Sequence, residues 1–307
     1  MFTHSVKHAF QGIDEHSPAR APLICSFFPF VNKGEEIFVR KTKRKTNLSL
    51  IVIASALLCP GAFAQNSSAF TTVSAGNWGP IVAPDSIAAG FGSNLTTQTF
   101  SSLQVPLPLV LANVAVQITD SSKTTQSAGL FMASQAQVNY EIPSNTTLGL
   151  GTATVTSSTN TTTAGNILIS NVAPAIFAAN ENGTGPAAAE AFTYPAFGNP
   201  TYVYTFTGGT SNYVTNPLGI SPSSGQTYLV LYGTGIRHHS PNPVEASIGG
   251  IKVPVAYAGA AGSANIGLDQ INLGPLPLSL AGTGKGDVNI SIYVDGVPTN
   301  TVTVNFQ

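Results

Sequence analysis

His238 and His239 stand side by side and are the only histidines after residue 65. A protein metal site usually takes three or four donors, and neighbouring residues of an extended chain point to opposite sides. The pair therefore reads as part of a polar loop; metal binding or catalysis needs a distant carboxylate to join one ring. Gly282-Thr-Gly-Lys-Gly286 looks like a fragment of a phosphate-binding loop. It lacks the upstream glycine and the Ser or Thr after the lysine, and it leads into a strand, so no helix N-terminus faces an anion. It reads as a hairpin turn. No Gly-x-Ser-x-Gly elbow occurs. Glu141 and Asp269 are spaced a domain length apart, too far for the roughly 5 to 10 Å at which carboxylates share glycoside hydrolysis, and they read as solvated edge or turn charges. Gln137, Asn139, Gln270 and Asn272 read as groups that bond strand ends or loop backbone. No catalytic, cofactor-binding or metal-ligating residue is assigned; a hydrolase is the least favoured alternative.

One stretch has more pull. Phe192, Tyr194, Phe197, Tyr202, Tyr204, Phe206 and Tyr213 crowd a short segment, and Tyr194, Phe197, Tyr202, Tyr204 and Tyr213 form a candidate ligand or interface patch. Aromatic side chains bury large apolar areas, so packing between modules is the first reading and a glycan or partner surface the second. Coplanar, solvent-facing rings favour sugar binding; rings buried between modules end it.

The elements that position these residues follow from composition. Only 8% of the 307 residues are charged and the net charge is −1, against roughly 25% charged in average domains. That removes the electrostatic footprint of a nucleic-acid binder. Thirty glycines and 21 prolines, with no short period, exclude collagen and long uninterrupted helices. A soluble, turn-rich, all-β protein remains.

Residues 41–64 read as a secretory signal peptide. Lys41, Lys43, Arg44 and Lys45 precede the apolar run Leu48 to Leu58, and Ala62-Phe63-Ala64 before Gln65 is a small-x-small cleavage site. The run is too short to span a bilayer, which needs roughly 20 apolar residues. Cys59 suggests lipid attachment, but Leu57 and Leu58 are bulky where such a site needs small residues. Residues 1–40 read as a gene-model extension or a disordered segment, with translation starting near Val39. Past Ala64 the chain keeps Lys123, Arg237, Lys252 and Lys285 against nine carboxylates, a net charge of −5, and no cysteine. An exported protein without disulfides must rely on its apolar core. The expected location is extracellular or cell-surface, with no integral membrane span in the mature chain.

Period-two alternation is clearest near the C-terminus. Val288, Ile290, Ile292 and Val294 alternate with polar neighbours, Asp295-Gly296 marks a turn, and Val302, Val304 and Phe306 alternate again, which predicts a hairpin with one buried face. Gln226 to Tyr232 is a continuous strand-like run, and Val244 to Ala258 supplies another strand pair around Gly249-Gly250. A similar order appears earlier: Phe91-Gly-Ser-Asn-Leu95 matches Tyr232-Gly-Thr-Gly-Ile236, and Gln137-Val-Asn139 matches Gln270-Ile-Asn272. A duplicated order predicts tandem domains, and short, regularly spaced strands predict immunoglobulin-like sandwiches. The expected organisation is domain 1 over 73–172, an aromatic-rich extended join over 173–219, and domain 2 over 220–307.

The stretches 82–95, 133–143, Val172-Ala-Pro-Ala-Ile-Phe177, 229–236 and 294–304 together resemble a C-terminal module family of secreted acidobacterial proteins, itself similar to TIG-type (IPT) immunoglobulin-like domains. The resemblance spans nearly all of 73–307 and implies a secreted β architecture; it carries over no catalytic residue. Arg237-His238-His239 departs from the Gly/Pro-rich loop usual there. The expected function is non-catalytic binding, adhesion or scaffolding, with an extracellular protein or a polysaccharide as partner, no nucleic acid and no cofactor.

Overall fold

The computed structural model describes residues 70–209, 212–282 and 286–307. The expectations for residues 1–64, the leader and its cleavage between Ala64 and Gln65 lie outside these residues, as does Lys285. The described residues hold no α-helix and build two immunoglobulin-like β-sandwiches in tandem.

The first sandwich comprises β1 (Thr71–Ser74), β2 (Ile81–Val82), β3 (Ile87–Phe91), β4 (Phe100–Ser101), β5 (Ala115–Thr119), β6 (Thr125–Ser127), β7 (Leu130–Ala133), β8 (Gln137–Glu141), β9 (Gly149–Thr156) and β10 (Thr162–Ile169). One sheet runs β1-β3-β8-β7-β4 and the other β2-β10-β9-β5-β6. Alternation sends Val116, Ile118, Ala153 and Val155 inward to meet Val138 and Tyr140. The buried Tyr140 hydroxyl shares a 2.6 Å hydrogen bond with Thr72 Oγ1.

The second sandwich comprises β11 (Ala175–Ile176), β12 (Ala189–Tyr194), β13 (Thr201–Tyr204), β14 (Phe206–Gly209), β15 (Asn212–Thr215), β16 (Gln226–Thr234), β17 (Glu245–Ile248), β18 (Ile251–Val253), β19 (Val255–Ala260), β20 (Asp269–Leu273), β21 (Asp287–Val294), β22 (Val297–Pro298) and β23 (Val302–Asn305). Its first sheet runs β13-β12-β16-β20-β19, with β11 also on β16. The second runs β18-β17-β21-β22, with β23 also on β21. Leu229, Leu231, Ile271 and Leu273 pack against Ile248, Ile290, Ile292 and Val304 between them. The predicted C-terminal hairpin is present: Val294 pairs with Val297 across Asp295-Gly296, both at positive φ, and Ile290 pairs with Val302.

Segment 173–219, expected to be an extended join, contributes strands to the second sandwich's first sheet. β12 pairs with β16 over six residue pairs, and β13 forms the edge of the same sheet. The alanine run hid this strand: Ala187, Ala189 and Ala191 face the sandwich core while Ala188 and Phe192 face away. Apolar residues on both faces erase the alternation that marks a half-buried strand.

A third apolar cluster ties the sandwiches together. Ala75, Ile87, Ala89, Leu107 and Phe131 of the first pack with Phe177, Ala188, Phe192, Val230 and Tyr232 of the second. Thr234 Oγ1 accepts a 2.8 Å bond from Ile87 N and donates one of 2.8 Å to Gly267 O. β16 is therefore covered on both faces, which explains its unbroken apolar run.

Candidate binding surface

β12 and β13 set the aromatic side chains. Their register opposes Phe192 to Tyr202 and Glu190 to Tyr204, and opposed residues share a face. The Tyr202 ring stacks on the buried Phe192 ring at 5.8 Å and 27°. Buried Thr205 then bends the chain: its Oγ1 donates to Ala187 O at 2.7 Å. The bend starts the β14–β15 ribbon, whose register opposes Phe206 to Thr215. The rings continue from Tyr202 to Tyr204 (6.4 Å, 87°), to Phe206 (5.7 Å, 48°), to Tyr213 (5.3 Å, 90°). Asn180 fixes the far end, accepting from Tyr213 N at 2.8 Å.

Of the five aromatic candidates, Tyr202, Tyr204 and Tyr213 join this ribbon. Tyr194 lies apart: it packs beside the apolar cluster between the sandwiches and meets Tyr228 edge-on at 5.8 Å. Burial, then the Tyr228 phenol, pushes its hydroxyl pKa up. Phe197 projects from the β12–β13 turn, 94% exposed. Tyr202 is 45% exposed. The rings are thus neither coplanar nor sealed between modules. They form a stepped, partly open ribbon along a sheet edge.

Phe206 and Glu190 belong to this surface although neither is in the candidate patch. Phe206 closes the gap between Tyr204 and Tyr213 and is placed by the Thr205 bend, which has no sequence signature. Glu190 is only 7% exposed, and burial alone pushes its carboxyl up to about 7. No hydrogen bond or ion pair among the described residues engages it. Its signal was a lone glutamate inside an alanine run.

This carboxyl makes stability depend on pH. Its folded pKa lies above the unfolded value of about 4.3, so its protonated form favours the fold. That contribution is fully present below about pH 4.3 and is lost as pH rises through about 7. Glu190→Gln removes the dependence. Thermal unfolding is expected to show equal melting for variant and parent at pH 4.5, and a variant more stable by about 2 kcal/mol, roughly 5 °C, at pH 8.

The histidines are held elsewhere. His238 Nε2 lies 2.7 Å from Asp85 Oδ2 across the junction of the sandwiches, and Asn171 Nδ2 donates to the His238 carbonyl at 2.6 Å. His239 meets the carbonyl oxygens of Ser240 and Ala258 at 2.6 and 3.3 Å. The rings are committed to separate partners.

Asp269 and Glu141 are not the solvated charges expected. Asp269 is fully buried; its Oδ1 accepts from Arg237 Nε at 2.6 Å and its Oδ2 from Ile236 N at 2.6 Å. Burial pushes its carboxyl up, opposed by Arg237 and these N–H groups. Glu141 is part-buried; burial and then the Asp85 carboxylate push it up to about 7, against the pull of Arg237. One guanidinium therefore acts on both carboxylates, and Asp269 is a fixed anchor for the turn after β16. The Gln-x-Asn pairs also differ from expectation, since each glutamine bonds its own asparagine: Gln137 Nε2 to Asn139 Oδ1 at 2.9 Å and Gln270 Nε2 to Asn272 Oδ1 at 2.6 Å. Among the described residues, no group of three His, Cys, Asp or Glu side chains could share a metal ion, and no helix is long and apolar enough to cross a membrane.

No protein-family model matches the chain, and no curated protein matches it. Solved structures with weak similarity to the chain include the following two. A Bacteroides ovatus mixed-linkage glucan utilization locus protein, SGBP-B, in complex with a mixed-linkage heptasaccharide, aligns at 12% identity and a TM-score of 0.28, over 74% of this chain and 43% of its own. The full extracellular region of plexin A4 aligns at 9% identity and a TM-score of 0.23, over 81% of this chain and 17% of its own.

Proposed function

We propose that the protein is a non-catalytic binding or adhesion protein acting outside the cytoplasm, and that the ring ribbon of the second sandwich is its recognition surface. The leader-like residues 41–64 and the motif set resembling TIG-type modules support export. One observation carries the rest: a connected run of rings from the buried Phe192 to Tyr213 reaches solvent at Tyr202, 45% exposed, on β13, which ends its sheet among the described residues. A connected set of rings reaching solvent along a strand edge is a common mark of an interaction site. Glycan recognition is the second reading, favoured by Tyr202, 45% exposed and stacked at 27° on the Phe192 ring. The steep angles further along the ribbon favour a shaped partner over a flat run of sugars.

The test is capture on arrayed polysaccharides and isolated cell-surface proteins. Tyr202→Ala with Phe206→Ala is expected to weaken capture roughly tenfold or more while thermal melting stays two-state. Leu150→Ala, on the open face of β9, is expected to change nothing. Undiminished capture by the double variant contradicts the reading.

A further inference from the structure

A carboxylate removed from water is costly unless a donor or cation meets it. Glu190 has neither among the described residues, although its surroundings are defined. Tyr204 lies directly across on β13 and Val230 on β16. The Tyr232 phenol feels both the Glu190 charge and Tyr204. Phe192, two residues along the same face, backs Tyr202. Among the other described charged groups, Arg237 is committed to Asp269, Lys123 lies in the β5–β6 turn, and Lys252 sits on the opposite sheet. The electrostatic gap is therefore not filled from within the described chain.

We propose that Glu190, with the rings of Tyr204, Phe192 and Tyr202, is a socket for a lysine side chain of an extended segment of a partner protein. This rests on the ring ribbon being the recognition surface. The chemistry is complementary at both ends: a carboxylate pairs with an ammonium, and ring faces attract a cation and cover the methylenes leading to it. Shape selects the source of the amine. Glu190 is only 7% exposed, so the proposed ligand is a thin, unbranched side chain and not an amine carried directly on a pyranose ring. The neighbouring edge suits the backbone as well. β13 ends its sheet, and such an edge can pair with an extended strand while a side-chain pocket supplies specificity.

The test titrates the full protein with acetyl-Thr-Val-Lys-Val-Thr-amide, its Nε-acetyl-lysine and norleucine counterparts, and a glucosamine hexamer, followed by calorimetry and by NMR of the tyrosine rings. The lysine peptide is expected to bind at pH 8. Acetyl-lysine, norleucine and Glu190→Gln are each expected to weaken binding at least tenfold, and so is lowering the pH to 5.5, because burial raises the Glu190 carboxyl to about 7 and protonation removes its charge. Absent binding at millimolar peptide, equal binding of the acetylated peptide, undiminished binding by Glu190→Gln, or tighter binding of the glucosamine hexamer overturns the proposal. Partner capture separates the two levels. If Tyr202→Ala with Phe206→Ala loses capture while Glu190→Gln keeps it, the lysine socket fails and the ring surface stands. If neither variant changes capture, both fail.

Discussion

Asp269→Ala is expected to lower the melting temperature by roughly 10 °C, a loss of about 3–5 kcal/mol. The side chain is fully buried, and the change strands Arg237, whose Nε loses its 2.6 Å partner, together with Ile236 N. Arg237 keeps only the bond from Nη2 to Leu268 O at 2.9 Å. Most of the cost is the part-buried Arg237 guanidinium and the buried Ile236 N–H left without their carboxylate, not the net worth of the pair. Replacing both partners with apolar residues, Asp269→Leu with Arg237→Met, should therefore recover most of the loss. Calorimetric melting of the single and double variants checks this; a double variant as unstable as the single one contradicts it.

Gly267→Val is expected to have the next largest effect, and to act on the junction of the two sandwiches. Gly267 has φ +70°, and a Cβ there would lie 2.5 Å from Ile87 Cγ1 of the first sandwich. The left-handed backbone costs a β-branched residue about 1–2 kcal/mol, and the clash adds roughly as much. The same carbonyl accepts from Thr234, which in turn accepts from Ile87 N, so displacement breaks a bonded chain as well as an apolar contact. The two sandwiches are expected to unfold together in the parent and as two separate transitions in the variant. A single transition merely shifted downward would show that the junction does not couple them.

Legibility followed the range of the interactions. The β21–β23 hairpin was readable because its alternation and its Asp295-Gly296 turn are local, and the same holds for β17 and β18 around Gly249-Gly250. The matching places of the two Gln-x-Asn strands were also readable: Phe91 pairs with Gln137, and Tyr232 with Gln270. β12 was not, because alanine suits either face. The site was half legible. Tyr202, Tyr204 and Tyr213 could be named from aromatic density, yet their order depends on the β12–β13 register and the Thr205 bend. Glu190 gained meaning only when burial left its carboxylate unpaired. The Asp85–His238 contact spans 153 residues and depends on how the sandwiches abut, which no local pattern encodes.

Hydroxyl-radical footprinting of the protein, free and saturated with its captured partner, tests the recognition surface most directly. Tyr202 and Phe206 are expected to become protected, while Tyr257 and Tyr293, 41% and 47% exposed on other strands, keep their reactivity. Protection at Tyr257 or Tyr293 with Tyr202 and Phe206 unchanged would place recognition elsewhere and contradict the account.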